Sequence, residues 1–367
     1  MKTRAAVVKQ PGGPWEIEEL DLDPPKANEV LVRFMASGLC HSDEHIREGG
    51  FRSYPMVGGH EGAGIVEEVG PGVTAVKKGD HIVSSYVPCC GRCRYCSTGH
   101  QNLCDRGLNA AVGCLQDGTF RFHLDGKDLG GMCVLGTFSQ YAVISELQCV
   151  KVDDDLPFDV AALVGCGVTT GWGSAVYAAG VRPGDTVVVF GVGGVGMNSV
   201  QGARHAGARY IVAVDPVEFK LEMARFFGAT HVCTDAAEAQ DLVVQLTRGQ
   251  LADHAILTVG VMTAEVVTQG FNIVGKTGTV TITGVGPGIT VQLPGGPMTG
   301  WQKRVQGALF GAANPMYDIP KLLGLYRAGQ LKLDELITRR YTLEEINQGY
   351  RDMLEGRNIR GVILHEH

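Results

Sequence analysis

Two stretches of this chain hold most of the groups that can do chemistry. The first is GLCHSDEH, residues 38–45, which sets Cys40, His41, Ser42, Asp43, Glu44 and His45 side by side. A solvated loop has no need of a thiol, and a core strand would not gather so many titratable groups. The second is CCGRCRYC, residues 89–96, followed by Cys104. Taken as Cys90, Cys93, Cys96 and Cys104, the gaps are two, two and seven residues. Thiolates two residues apart can turn back onto one ion. Four of them fill a tetrahedral zinc shell with no open position, which makes such a site structural. The C-x2-C-x2-C run also matches part of an iron–sulfur ligand pattern, but the fourth cysteine is distant and is not followed by proline. Cys89 is one thiol too many and is expected to point away.

Two further segments have the same flavour: Gly59-His60-Glu61-Gly62 and Gly165-Cys166-Gly167. Cys40, His60 and Cys166, brought together from separate segments, would form a three-ligand zinc site with one position open for chemistry. Each also has a plainer reading. Cys166 lies in an Ala/Val/Gly stretch and could be a core thiol, and His60 could serve only to satisfy backbone groups.

The middle of the chain carries a different signal. TVVVF, residues 186–190, is an apolar β-branched run, followed by Gly191-Val192-Gly193-Gly194-Val195-Gly196 and then by helical spacing in MNSVQGARHAGA. A second apolar strand, YIVAVD, ends at Asp215, 19 residues after Gly196. GxGxxG alone is weak, but between a strand and a helix, with an acid ending the next strand, it reads as a dinucleotide-binding unit. Gly191 permits the turn, Gly193 lets pyrophosphate approach the backbone, and Gly196 lets helix and strand pack closely. The helix N-terminus favours the phosphate charge. Asp215 can accept from both hydroxyls of an adenosine ribose and would repel a 2′-phosphate, which favours NAD over NADP. The alternative is a glycine-rich turn without a ligand.

These groups must be positioned by a chain of 367 residues, 44% hydrophobic and 19% charged, long enough for two domains. Residues up to about 165 show short strand-and-turn patterns (RAAVV, EVLVRFMA, AGIVEEVG, HIVSSYV, SQYAVI) and predict an all-β, barrel-like domain with a cysteine lobe at about 89–105. Residues about 168–310 alternate strand and helix, as a doubly wound parallel sheet requires. The tail from 311 to 367 predicts two or three helical segments and a final strand, with a capping box at Thr342-Leu343-Glu344-Glu345. The net charge of −7 and the absence of a basic cluster argue against a nucleic-acid partner or an anionic lipid surface. No apolar run has membrane-spanning length, and no secretory signal is visible. Eleven cysteines without an export signal point to a reducing, cytoplasmic setting in which clustered thiols bind metal.

With these motifs in view, the chain resembles a zinc-dependent medium-chain alcohol dehydrogenase along nearly its whole length, in the longer form similar to the class I and class III enzymes. GLCHSDEH, GGHEGAGIVEEVGPGV, the cysteine lobe, CLQDGTFRF, GTFSQYAV, LVGCGVTTGWGSAV, VFGVGGVGMNSVQGARHAGA, QGALFGAANP and NIRGVIL carry the likeness. It implies an α/β fold: a GroES-like all-β catalytic domain (1–167) with the structural-zinc lobe, a Rossmann NAD-binding domain (168–310), and a C-terminal segment (311–367) returning to the catalytic domain. It implies two zinc ions per chain. The catalytic one rests on Cys40, His60 and Cys166, with Glu61 behind it as a transient ligand and Asp43 orienting His60. The structural one rests on Cys90, Cys93, Cys96 and Cys104. Ser42 would accept the substrate hydroxyl proton and His45 would pass it to solvent. His41, Thr170, Gly194, Val195, Lys220 and Arg360 match cofactor-contacting positions, beside Gly191, Gly193, Gly196 and Asp215. Phe51 and Tyr86 match pocket positions that suit a small alcohol or aldehyde. Glu44 is expected to be solvated.

A narrower likeness is to a bacterial subgroup dependent on N,N-dimethyl-4-nitrosoaniline (NDMA). Its members hold NAD(H) as a prosthetic group and pass electrons to a dye or to a small redox carrier such as mycofactocin. The class III alternative, oxidation of S-(hydroxymethyl)glutathione, needs basic groups for the glutathione carboxylates; Arg47, Arg52 and Arg106 are present without an assigned place. A quinone or enoyl reductase on the same scaffold would need no zinc, and a non-enzymatic zinc module would rest on the cysteine lobe alone. The family's late strands, such as GTVTITGVG, extend the sheet across a two-fold axis, which implies a homodimer or homotetramer.

Overall fold

Short apolar strands need partners, and here the partners come from both ends of the chain. The computed structural model describes residues 1–50, 53–284 and 288–367. Phe51 lies outside the described residues. Two compact units form, one from Met1–Cys166 with Asn314–His367, the other from Gly167–Ala313.

In the first unit, five strands close a barrel in the order Lys2–Val8, Trp15–Leu22, Phe122–Leu124, Lys127–Gly131 and Met56–Val57. A seven-stranded sheet runs Cys149–Val152, His81–Ser84, Gly62–Val69, Glu29–Gly38, Arg360–Leu364 and Ile337–Tyr341, and Tyr141–Ser145 pairs with Glu29–Gly38 as well. Strand Glu29–Gly38 is therefore central. Val30, Val32 and Phe34 sit fully buried in one apolar cluster with Leu20, Leu22, Ile82 and Ile144. Each such side chain contributes about 1.5–3 kcal/mol by leaving water. The far end of the strand is locked by Ser37 opposite both Gly62 and Ile363. That lock delivers Leu39 and Cys40 to a fixed place.

The tail holds one strand more than its sequence pattern predicts. Helices Pro315–Arg327 and Ile346–Leu354 and the final strand Arg360–Leu364 are present, and so is Ile337–Tyr341, parallel to the final strand. Two adjacent arginines in ITRRY break its apolar alternation. Only Ile337 and Tyr341 are buried, and Arg339 reaches out to Asp352 at 3.0 Å. The capping box forms: the Thr342 N–H donates to Glu345 Oε2 at 2.8 Å.

The second unit is a six-stranded parallel sheet in the order His231–Cys233, Tyr210–Val214, Thr186–Phe190, Ala252–Leu257, Val274–Ile282 and Arg304–Gly307. Strand order reverses beside Thr186–Phe190, the topological switch point of a doubly wound fold. TVVVF is buried throughout, as a central parallel strand covered on both faces must be. Val274–Ile282, read from the sequence as the strand that would extend the sheet, is flanked on both sides, and Arg304–Gly307 holds the edge instead. Among the described residues, no single helix is long and apolar enough to cross a membrane.

Candidate active site

Cys40 follows directly from strand Glu29–Gly38 and caps the short helix His41–His45. His60 and Glu61 immediately precede strand Gly62–Val69, and Cys166 sits in the turn after helix Phe158–Val164. Three segments remote in sequence therefore converge within one unit. One ligand atom from each of Cys40, His60, Glu61 and Cys166 lies within 4.8 Å of the others. All four side chains are buried, Glu61 completely. Gly38 permits the approach: a Cβ there would strike the Glu61 carboxylate and would stand 3.0 Å from both Arg360 Nη2 and Leu163.

Asp43 organises the cluster. Its Oδ1 accepts from His60 Nδ1 at 3.0 Å and from the Gly59 N–H at 3.2 Å, and its Oδ2 accepts from the Cys40 N–H at 3.2 Å. With Nδ1 committed to a carboxylate, Nε2 is left for a metal, the usual support of a metal-bound imidazole. Electrostatics concentrate negative charge here. A hydrogen bond from Cys166 holds the Cys40 thiol well below its ordinary range, with help from His60, and the same bond pushes Cys166 up. Burial works against charge on His60, yet Asp43 and Cys40 outweigh it and keep the imidazole well above its usual value. Burial lifts Glu61 to about 7 against the pull of Arg360. Two sulfurs, an imidazole nitrogen and a carboxylate make a donor set suited to zinc.

The second cluster is local. Cys90, Cys93, Cys96 and Cys104 also bring their sulfurs within 4.8 Å of one another. Thiolates about 2.3 Å from zinc in a tetrahedron lie roughly 3.8 Å apart; the Cys90 and Cys96 sulfurs are 4.0 Å apart. Main-chain N–H groups support the sulfurs: Cys93 donates to Cys90 Sγ at 3.3 Å and Cys96 to Cys93 Sγ at 3.4 Å. Burial opposes ionisation of Cys90, but the N–H groups of Arg92 and Cys93 bring its thiol down to about 6. The set is complete without Cys89, and it fits a closed zinc site.

The remaining expected site residues fall as follows. Ser42 and His45, three apart on the short helix, share a face. The His41 and His45 rings lie tilted by 57° with centroids 5.0 Å apart, and all three residues are half-buried. Tyr86 stands edge-on to His60 at 5.7 Å. Arg360 is buried, and its guanidinium pairs with Glu61. In the second unit, Gly191 adopts φ +81°, which a side chain would resist, and a Cβ there would meet Val259. Gly193 faces open space, whereas a Cβ on Gly196 would run into the Gly191 carbonyl. Gly194 and Val195 open helix Gly194–His205. Asp215 ends strand Tyr210–Val214 and is buried, accepting from the Val192 and Val217 N–H groups at 3.0 Å each. Thr170 is buried in helix Gly167–Gly173, and Lys220 is half-buried on helix Glu218–Phe227.

Glu44 corrects the sequence reading. It is buried rather than solvated, because Arg47 holds its carboxylate bidentately at 2.8 and 2.7 Å. The i,i+3 spacing was the available signal. Arg47 also donates to the Gly13 carbonyl at 2.8 Å. Arg106 lies with Arg92 and Lys26 on a cleft of about 640 Å³ beside Cys90, and Arg52 lies outside the described residues. The Arg360–Glu61 pair escaped sequence reasoning, because nothing local links partners 299 residues apart.

Comparison with known proteins agrees with this geometry. Residues 26–154 match the alcohol dehydrogenase GroES-like domain and residues 194–327 the zinc-binding dehydrogenase domain. An NDMA-dependent alcohol dehydrogenase of Amycolatopsis methanolica is 58% identical over 368 residues, covering 100% of this chain and 99% of that one. An S-(hydroxymethyl)glutathione dehydrogenase of Paracoccus denitrificans is 38% identical with full coverage of both. The crystal structure of benzyl alcohol dehydrogenase from Acinetobacter calcoaceticus superposes with TM-score 0.92 at 32% identity, covering 100% of both chains. The chain belongs to the zinc-dependent medium-chain alcohol dehydrogenases. It is an NAD-type oxidoreductase, an alcohol dehydrogenase whose two cysteine-containing clusters fit two zinc ions.

Proposed function

We propose that this enzyme oxidises a primary alcohol to its aldehyde while keeping NAD bound between turnovers, and that a separate small carrier of the mycofactocin kind removes the electrons. The observation that carries this reading is the buried Cys40–His60–Glu61–Cys166 cluster, in a chain 58% identical end to end to an NDMA-dependent alcohol dehydrogenase. Zinc bound there supplies Lewis-acid acidification of the alcohol, and NAD supplies the hydride acceptor.

The chain's own residues do the rest. Asp43 fixes the ring of His60 through Nδ1. Ser42 takes the proton of the substrate hydroxyl and His45, on the same helix face, carries it toward solvent. Tyr86 walls the substrate side of His60 with an apolar ring. Arg360 neutralises Glu61 and keeps that buried carboxylate in reserve beside the metal ligands. Gly193 and the N-terminus of helix Gly194–His205 receive the pyrophosphate, and Asp215 receives the adenosine ribose. His41, Thr170, Val195 and Lys220 take further cofactor contacts. The glutathione alternative loses support because Arg47 is spent on Glu44. The edge strand Arg304–Gly307 pairs on one side only among the described residues, which supports a dimer built by strand-to-strand extension.

The test is reduction of a nitrosoaniline dye by the purified enzyme with a primary alcohol and no added NAD. Turnover under those conditions supports a resident cofactor. Turnover only with added NAD, with NADH appearing in solution, overturns it.

A further inference from the structure

Gln148 is a buried amide that no step above uses. It ends the turn Glu146–Gln148, just before strand Cys149–Val152, and is 1% exposed. That strand pairs with His81–Ser84, and the ladder ends with Ser84 opposite Cys149. Gln148 carries the pairing one residue further. Its carbonyl accepts from the Ser85 N–H at 2.9 Å, and its side-chain Nε2 donates to the Ser85 carbonyl at 3.1 Å. One residue therefore holds Ser85 by both of its main-chain groups. Nε2 also donates to the Cys133 carbonyl at 2.9 Å. Both amide hydrogens are used, while Oε1 is buried without a partner among the described residues. Reversing the amide would set its oxygen against two carbonyl oxygens, so its orientation is fixed.

Both segments that Gln148 joins reach Tyr86. Ser85 precedes Tyr86, whose ring stands edge-on to His60 at 5.7 Å. The Ser85 hydroxyl donates to the Val87 carbonyl at 2.8 Å and accepts from the Val87 N–H at 3.3 Å, which closes the chain around Tyr86. Cys133 belongs to the short turn Met132–Val134. Cys133 and Val134 both take left-handed backbone conformations, with φ +53° and +63°. For a β-branched valine that is an outlier, and such a conformation persists only where its surroundings impose it. Met132 and Cys133 are buried in the apolar cluster against which Tyr86 packs. A residue needed only for packing would avoid an unpaired buried oxygen, since methionine fills a similar volume without one. The two donors explain the glutamine.

We propose that Gln148 is a positioning residue for substrate selection: through Ser85 and Cys133 it fixes the turn that sets the Tyr86 ring against His60, and so sets the width of the alcohol slot. It acts through Tyr86 rather than on the reacting atoms. This inference rests on the reading of Tyr86 as a wall of the substrate pocket.

The test is the substrate preference of the intact holoenzyme, measured as aldehyde formed from ethanol and from benzyl alcohol with both nitrosoaniline dye and NAD supplied. Gln148→Met keeps the volume and removes both donors. It should change the benzyl-to-ethanol ratio of kcat/KM about tenfold, the low end of what one contact in an apolar pocket discriminates. The change should lie in KM more than in kcat, and two zinc ions should remain. Loss of stability alone would lower turnover of both alcohols equally. Ser85→Ala, which frees Val87 and leaves Gln148 in place, should shift the ratio in the same direction, and it decides the matter if Gln148→Met does not fold. In a Tyr86→Ala background, Gln148→Met should shift the ratio no further. A further shift there overturns the path through Tyr86. If Tyr86→Ala shifts the ratio and folded Gln148→Met does not, the proposal falls and the pocket reading stands. If Tyr86→Ala leaves the ratio unchanged, both fall.

Discussion

The two four-ligand clusters reach a similar geometry by opposite routes. The lobe takes all its ligands from residues 90–104, and its sulfurs are steadied by N–H groups of the same short segment. The catalytic cluster takes its ligands from positions 40, 60, 61 and 166, and its steadying groups come from Asp43, Gly59 and Arg360. Closing a short loop onto an ion costs little chain entropy, so local ligands can organise one another. Long-range ligands must already be delivered by a folded sheet. The difference teaches where each site draws its energy. The lobe is expected to need its metal to stay ordered, whereas the catalytic cluster borrows its order from the core around strand Glu29–Gly38.

This contrast can be broken or sharpened by substitution. The largest effect is expected at Cys40→Ser. Zinc content should fall from two ions per chain to one, and activity should drop roughly 10³-fold or more, since the metal contributes several kcal/mol to the transition state. Metal analysis showing two ions with this substitution would place the catalytic zinc elsewhere. Next is Ser42→Ala, which removes the proposed proton acceptor and should lower alcohol oxidation on the order of 10²-fold or more while both zinc ions stay bound. Full activity in that variant would remove Ser42 and His45 from the proton path.

Cys104→Ala should act differently from both. The catalytic zinc and the initial rate should survive, while the melting temperature falls by about 5–10 °C through loss of the lobe. If activity is lost before stability, the two clusters are not independent.

The smallest effect concerns acid. His365 is buried beside Ser37, on the strand that delivers Cys40, with Nε2 3.1 Å from Ser37 Oγ and 3.1 Å from the Thr137 carbonyl. Burial lowers its pKa from 6.5 to about 4, so the neutral ring is the folded form. An unfolded chain binds that proton more readily. The stability this group contributes is therefore complete above about pH 6.5 and is lost as pH falls toward 4, by about 3 kcal/mol. Urea titrations at pH 7 and pH 4.5 should show a steeper loss in the wild type than in His365→Gln. Parallel losses would exclude the histidine.

Much of this molecule is legible from local pattern. The lobe spacing, the GxGxxG between TVVVF and a helix, the acid at 215 and the capping box at Thr342 each depend on residues a few positions apart. Such spacings decide backbone geometry directly. What escaped reading depends on non-local pairing. Strand Ile337–Tyr341 was hidden by Arg339 and Arg340, which pair outward with Asp352 and Asp159. Glu44 reads as a solvated acid from the sequence, but Arg47 encloses its carboxylate. The sheet edge fell to Arg304–Gly307 because Val274–Ile282 is paired on both sides.

The chemistry of each ligand was set by the sequence, because residue type decides what can bind zinc or receive a phosphate. Tertiary structure alone decided which of eleven cysteines meet, that Asp43 holds Nδ1 of His60, and that Arg360 from the far end of the chain pairs with Glu61. The physical reason is that a local spacing limits the positions of its own residues only. The contact between residues 61 and 360 exists because a seven-stranded sheet joins the two ends of the chain.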